Sequence, residues 1–126
     1  MSLRSPLSKA VGLGSAKHGF SHWWWQRVTA IALIPLALWF VVSVLSIISG
    51  GHAEAHAWLS SPVNATLMLL FVLTGLYHAQ TGMQVVIEDY VQPKWLNLLM
   101  LLVIKFAAAI MALMATIAVL KISVGV

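Results

Sequence analysis

The stretch VTAIALIPLALWFVVSVLSII, residues 28–48, has 21 residues and not one formal charge. A helix of this length rises about 30 Å at about 1.5 Å per residue, which is the thickness of the hydrocarbon core of a bilayer. Two further runs share this character, since residues 65–87 carry no formal charge and residues 95–120 carry only Lys105. The sequence therefore predicts an all-α membrane protein with three transmembrane helices.

The composition agrees with a membrane protein, because 61% of the 126 residues are hydrophobic and only 8% are charged. The three apolar runs leave a basic N-terminal arm and two short connections. A nucleotide or flavin domain needs about 100 residues, so we expect the chain to be non-catalytic on its own, with any chemistry inside the bilayer or in a partner. Cysteine is absent, which excludes disulfides and iron-sulfur ligation by this chain.

The distribution of basic residues predicts the orientation of the chain in the membrane. The arm contains Arg4, Lys9, Lys17 and Arg27 without an acid, whereas the first loop contains neither lysine nor arginine. Cytoplasmic flanks are enriched in basic residues, so we expect a cytoplasmic N-terminus, a periplasmic C-terminus and no nucleic-acid binding. The predicted segments of this single membrane domain are the arm (1–27), transmembrane helix 1 (28–49), an outer loop (50–64), transmembrane helix 2 (65–90), an inner turn (91–94) and transmembrane helix 3 (95–121).

A histidine lies deep in the second apolar run, where His78 is the fourteenth residue. An imidazole inside a bilayer is costly unless it has a partner, so a functional role is the default hypothesis. Gly75 and Gly82 share its helix face at i−3 and i+4 and leave space for the edge of a flat macrocycle. Two interpretations stay open: His78 ligates a haem, or it forms a hydrogen bond to a neighbouring helix while the glycines serve close helix packing.

The other four histidines lie outside the apolar runs, with His18 and His22 in the arm and His52 and His56 in the outer loop. None of them can be the opposite axial ligand within this subunit. A haem with two histidine ligands therefore requires a second chain, which is either a different subunit or a second copy of this one.

Two acids and a tyrosine end the second run. The helix macrodipole disfavours acids at a C-terminus, so plain capping does not explain Glu88 and Asp89. Tyr90 follows at the expected inner interface, where its hydroxyl can donate to a carbonyl oxygen of a bound ligand or simply belong to the interfacial aromatic belt. We expect Arg27 at a similar depth, as an anchor to the cytoplasmic side, a partner of Asp89 or a ligand of a haem propionate.

The motif HAQTGMQVVIEDYVQP, residues 78–93, has the pattern H-x3-G-x6-D-Y through His78, Gly82, Asp89 and Tyr90, and RVTAIAL opens the first apolar run at Arg27. Both segments resemble the small D-type hydrophobic anchor subunits of succinate dehydrogenase, respiratory complex II. The size, the three spans and the topology are also similar to those of that family. The resemblance covers essentially the whole chain.

The resemblance implies that the chain packs with a second three-helix anchor, the C-type cytochrome b subunit, and shares one haem b with it. It implies that His78 is one axial ligand and that Arg27 lies near the haem propionates and the quinone pocket, with His22 as a further candidate there. It also implies that Tyr90 donates a hydrogen bond to a quinone carbonyl oxygen, with Asp89 beside it.

In that family, a flavoprotein subunit oxidises succinate and an iron-sulfur subunit passes the electrons to ubiquinone at the inner face of the membrane, linking the tricarboxylic acid cycle to the respiratory chain. We therefore expect an integral protein of a bacterial inner membrane, surrounded by lipid. The alternatives are the anchor of a fumarate reductase, a homodimeric b-type cytochrome, and a structural anchor without haem. Glu88 and Lys105 match no role in the family.

Overall fold

The structure, a computed structural model, describes residues 5–12 and 19–125. Arg4, Lys17 and His18 of the predicted arm lie outside the described residues. Every regular element within them is helical, and the order along the chain is α1 (Pro6–Ala10), α2 (Gly19–Ile47), a 3-10 turn (Ile48–Gly50), α3 (Gly51–Leu59), α4 (Pro62–Tyr90) and α5 (Lys94–Val124).

The helices α2, α4 and α5 contain 29, 29 and 31 residues. Three helical stretches, each containing one of them, are long and apolar enough to cross a membrane. This confirms the prediction of an all-α chain with three helices that can span a bilayer, so the protein is an integral membrane protein. The direction in which the chain crosses the membrane stays a prediction.

Two segments that the sequence analysis treated as connections contain helix. The first is the end of the predicted arm, because α2 already begins at Gly19 and its helical hydrogen bonds continue through the three tryptophans at 23–25. The second is the predicted outer loop, which contains the 3-10 turn and α3. Gly51 has φ 64° and ψ −150° between these two elements, a conformation that glycine adopts without steric cost, and the alanine-rich segment after it favours a helix.

The central helix of the bundle is α4, which packs against α2 on one side and α5 on the other, while α2 and α5 do not pack against each other. Phe40 of α2 stacks on Phe71 of α4 with 4.9 Å between ring centroids. Trp39 of α2 stacks on Trp58 of α3 at 5.5 Å. These aromatic pairs attach the C-terminal half of α2 to α3 and α4.

The core of the isolated chain is thin. The buried residues in the described part of the chain are the apolar Leu36, Ala65, Ile87 and Val119 and the polar Thr29, Ser43 and Thr81. Most large apolar side chains of α2 and α5 are exposed. Lipid tails or another membrane subunit must therefore cover these surfaces.

The turn between α4 and α5 is closed by one side chain. Pro93 cannot continue a helix and restricts the residue before it, so α4 ends at Tyr90. The amide nitrogen Nδ2 of Asn97 donates to the carbonyl oxygens of Ile87 at 3.0 Å and Val91 at 3.2 Å. Asn97 thereby satisfies carbonyls at the helix end and ties the first turn of α5 to the last turn of α4.

We predict that Asn97→Ala lowers the free energy of unfolding by about 1–2 kcal/mol, since two neutral hydrogen bonds are lost and Val91 keeps an unpaired carbonyl. Denaturant unfolding of the chain in detergent, followed by circular dichroism, measures this change. Gln92→Ala is the matched control, because Gln92 is exposed in the same turn and makes no described hydrogen bond. Equal stability of the two variants would contradict the role of Asn97.

Candidate functional site

Four polar side chains meet at the interface between α2 and α4, and we call them the polar seam: Gln26, Thr29, His78 and Thr81. Residues three apart share a face of a helix, so the first pair lies on one side of α2 and the second pair on one side of α4. Thr29 and Thr81 are 8% and 4% exposed. Two polar contacts therefore join these helices within otherwise apolar segments.

The first contact of the polar seam is made by His78. Its Nδ1 lies 3.0 Å from Oγ1 of Thr29 in a hydrogen bond between the two helices. The His78 ring is half-buried, and its Nε2 makes no hydrogen bond within the described residues. One ring nitrogen is thus satisfied inside the chain, and the other is available to a partner from outside.

The second contact joins Thr81 and Gln26, where the Thr81 hydroxyl donates to Oε1 of Gln26. The same hydroxyl lies 2.9 Å from the carbonyl oxygen of Tyr77 and 3.0 Å from that of His78. Since Gln26 precedes Thr29 by three residues and Thr81 follows His78 by three, the two contacts fit antiparallel helices. They set the register of α2 against α4.

The two glycines beside His78 both face α2. A Cβ atom added at Gly82 would lie 3.4 Å from Nε2 of Gln26, and one added at Gly75 would lie 3.9 Å from Cδ2 of Leu33. These contacts correspond to the packing interpretation that the sequence left open. The predicted packing of the same glycines against a haem stays a prediction.

A groove of about 480 Å³ lies beside the polar seam and is mostly apolar. Thr29 belongs to both features, because the groove is lined by Trp25, Thr29, Leu73, Thr74 and Tyr77. Within residues 5–12 and 19–125, no three histidine, aspartate or glutamate side chains are grouped as a multi-ligand metal site requires. Ligation by a single histidine is a separate requirement, which His78 meets through its available Nε2.

His22 lies one turn before Gln26 on α2. Its Nε2 is buried and has no hydrogen-bond partner. A buried polar atom without a partner costs about 1–3 kcal/mol, and this nitrogen has almost no surface that another molecule can reach.

Arg27 does not lie level with Asp89 along the helix pair, which differs from the expected similar depth. Because Gln26 is opposite Thr81 and Thr29 is opposite His78, Arg27 lies about 13 Å along the helix axis from Asp89. The difference arises because α2 begins at Gly19, which places Arg27 well inside the helix. The exposed Arg27 guanidinium lies 5.8 Å from the centroid of the Trp23 ring, and no ion pair joins Arg27 to Asp89 among the described residues.

Asp89 and Tyr90 are the last two residues of α4, and both are exposed. The Tyr90 side chain is 80% exposed, so its hydroxyl is free to meet a ligand or a neighbouring subunit. Glu88 differs from this pair, because Nε2 of Gln84 donates to Oε1 of Glu88 at 2.8 Å.

Sequence reasoning singled out His78 but missed Gln26, Thr29 and Thr81. A signal for them was present, because polar residues spaced by three occur on an apolar face at 26 and 29 and again at 78 and 81. Which of the many polar residues meet across the helix pair depends on the register, and the register is a tertiary property.

Comparison with known proteins identifies the relatives of the chain. Residues 1–118 match the family described as the succinate dehydrogenase/fumarate reductase transmembrane subunit. The succinate dehydrogenase hydrophobic membrane anchor subunit of Rickettsia bellii is 40% identical over 103 residues, which cover 81% of this chain and 82% of the relative. The protein of the same description from Paracoccus denitrificans is 35% identical over 88 residues, covering 70% and 68% of the two chains.

A more distant relative has the same kind of description. The succinate dehydrogenase membrane anchor subunit of Reclinomonas americana is 30% identical over 96 residues, covering 73% of this chain and 79% of the relative. No solved structure matches the chain. The match over residues 1–118 and the identity to these anchors confirm the resemblance, and the chain belongs to the succinate dehydrogenase/fumarate reductase transmembrane subunit family.

Proposed function

We propose that this chain is the membrane anchor subunit of a succinate:ubiquinone oxidoreductase in a bacterial inner membrane, where it helps to bind haem b and ubiquinone. Its relatives are named as succinate dehydrogenase membrane anchors, and it has three helices that can span a bilayer. We assign the oxidation of succinate to a flavoprotein subunit and the transfer of electrons to an iron-sulfur subunit, as the resemblance to the family implies.

One observation carries the haem assignment: Nδ1 of His78 is hydrogen-bonded inside the chain while Nε2 is not. Metal-ligating histidines commonly have this arrangement, in which the second ring nitrogen bonds to a neighbouring group. His78 thus fits one axial position of a haem. The other histidines that the structure describes lie on α3 and at the start of α2, so the opposite ligand comes from a second chain. The resemblance to the family implies that this second chain is the other anchor subunit.

A bound haem would supply a one-electron redox centre inside the bilayer. The part of this chain is to hold that group and to partner its propionates. Arg27 of α2 suits a propionate because its guanidinium is exposed, and the resemblance to the family makes His22 a further candidate. A guanidinium binds a carboxylate through a bidentate pair of charge-assisted hydrogen bonds.

The exposed end of α4 supports the assignment of the quinone site. The Tyr90 hydroxyl can donate a hydrogen bond to a quinone carbonyl oxygen, and its 80% exposure leaves it open to the ligand and to the neighbouring subunits. Asp89, beside it on the same helix end, is free of any described ion pair. We assign Asp89 a place beside the bound quinone, next to Tyr90, as the resemblance to the family implies.

A fumarate reductase anchor is the second candidate, because the matched family contains transmembrane subunits of both enzymes. The direction of the reaction depends on the quinone potential and on the partner subunits. The names of the relatives favour succinate oxidation.

We predict that a pull-down of this chain from gently solubilised membranes recovers a flavoprotein, an iron-sulfur protein and a second small membrane subunit. The exposed apolar faces of α2 and α5 leave surface on which such a membrane subunit can pack, beside lipid. Mass spectrometry of the purified material identifies the partners. Recovery of this chain alone, with a bis-histidine haem spectrum, would instead support a homodimeric cytochrome.

We predict that His78→Ala removes haem from the assembled complex, because the iron loses one of its two axial ligands. The dithionite-reduced minus oxidised absorption spectrum, normalised to flavin content, measures the loss. His56→Ala is the control, since this exposed histidine lies on α3 away from the polar seam. Full haem content in an assembled His78→Ala complex would refute the ligand assignment.

We predict that Tyr90→Phe lowers quinone reduction about 3- to 10-fold, which is the effect of one lost hydrogen bond, while succinate-dependent reduction of an artificial dye is unchanged. The two activities are measured on the same membranes. Tyr77→Phe is the matched control, because it removes the hydroxyl of the other tyrosine from the groove beside the polar seam. Equal quinone turnover in wild type and Tyr90→Phe would exclude the role of Tyr90.

A further inference from the structure

The Thr29 hydroxyl has three neighbours within hydrogen-bond distance. Its oxygen lies 2.7 Å from the carbonyl oxygen of Trp25, 3.2 Å from that of Gln26, and 3.0 Å from Nδ1 of His78. A hydroxyl has one proton to donate and two lone pairs that accept. The two carbonyl oxygens can only accept, so they compete for the single proton of Thr29.

The shortest of these contacts indicates where the proton lies. The Trp25 carbonyl is one helical turn before Thr29, and donation from a threonine to the carbonyl at i−4 is the usual local bond of this side chain inside a helix. At 2.7 Å, the Thr29 hydroxyl donates to Trp25. Its oxygen then presents only lone pairs to His78.

The proton between Thr29 and His78 therefore belongs to the imidazole. A neutral histidine has one protonated and one unprotonated ring nitrogen, and Nδ1 must donate to the Thr29 oxygen. We propose that Thr29 is a positioning residue that holds the proton of His78 on Nδ1 and directs the Nε2 lone pair to the haem iron. This inference rests on the proposed function of His78 as a haem ligand.

The opposite tautomer is incompatible with ligation. If the Thr29 hydroxyl donated to Nδ1, the proton of the neutral ring would lie on Nε2 and would block the iron. No other described side chain is hydrogen-bonded to the imidazole of His78, so Thr29 alone decides between the two tautomers within this part of the chain. Thr29 is only 8% exposed, so water has little access to replace its hydroxyl as the partner of His78.

The geometry also orients the ring. A hydrogen bond from Nδ1 restrains the rotation of the imidazole and increases the basicity of Nε2. The neighbouring contact between Gln26 and Thr81 keeps α2 and α4 in register, which keeps Thr29 opposite His78. The polar seam thus holds the Thr29 oxygen in place as the hydrogen-bond acceptor for Nδ1 of His78.

The test uses Thr29→Val and Thr29→Ser in the assembled complex. Valine has the shape of threonine without the hydroxyl, and serine keeps the hydroxyl. We expect Thr29→Val to lower haem affinity about 10- to 100-fold, which is the usual cost of losing such an outer partner, and to raise the haem midpoint potential because a less basic imidazole stabilises ferric iron less. Thr29→Ser should restore both quantities.

Haem transfer to an excess of an apo-haem-binding protein measures the affinity, and a redox titration followed by absorbance measures the potential. Thr116→Val is the matched control, since it removes a threonine hydroxyl that donates to the carbonyl oxygen at i−4 within α5 and leaves the pair of Thr29 and His78 intact. A shift of the potential in Thr29→Val alone supports the proposal. Wild-type affinity and potential in Thr29→Val, or equal shifts in Thr29→Val and Thr116→Val, would overturn it.

Two further comparisons separate this proposal from folding and from the haem assignment. If Thr29→Val does not assemble, Thr29→Cys is compared with Thr29→Ser, because sulfur is a weak acceptor. Equal haem potentials in these two variants contradict the proposal. Full haem content in His78→Ala would refute the ligand assignment itself. If His78→Ala loses haem but Thr29→Val keeps wild-type haem affinity and potential, only the role of Thr29 is refuted.

Discussion

The hydrogen bond between Thr29 and His78 is the contact on which the arrangement of the site depends. In the hydrocarbon part of a membrane, water does not satisfy a polar group, so each polar side chain must find a partner in protein or ligand. Thr29 satisfies one nitrogen of His78 across the interface between α2 and α4. The other nitrogen has no partner among the described residues, and we propose that a haem iron occupies this position.

The rest of the bundle is consistent with an incomplete unit. The helix α4 packs against α2 and α5, yet most of the large side chains on α2 and α5 remain exposed. Lys105 is exposed on α5 and lines a groove of about 290 Å³ with Tyr77 and Gln80 of α4. A lysine within a membrane-spanning helix requires a polar or anionic partner. Like the apolar faces, the face that carries Lys105 can therefore contact another subunit.

Much of the fold could be predicted from the sequence, because the length and apolar character of a membrane-spanning helix are visible in the segment that forms it. A long run without charge predicts a membrane-spanning helix whatever its neighbours are, and all three such helices are present. Local pattern was less informative at the helix ends. The beginning of α2 at Gly19 and the helix α3 were not predicted, because tryptophans, histidines and alanines form either interfacial coil or helix according to context.

For the site, the sequence by itself determined that His78 lies deep in an apolar helix and that Asp89 and Tyr90 end the same helix. The spacing along a single helix decides these facts. Only the tertiary structure decided that Thr29 is the partner of His78, that Gly75 and Gly82 face α2, and that Arg27 does not lie level with Asp89. These relations depend on the register of two helices separated by about 50 residues in the chain, and the register results from packing and paired polar groups rather than from any local pattern.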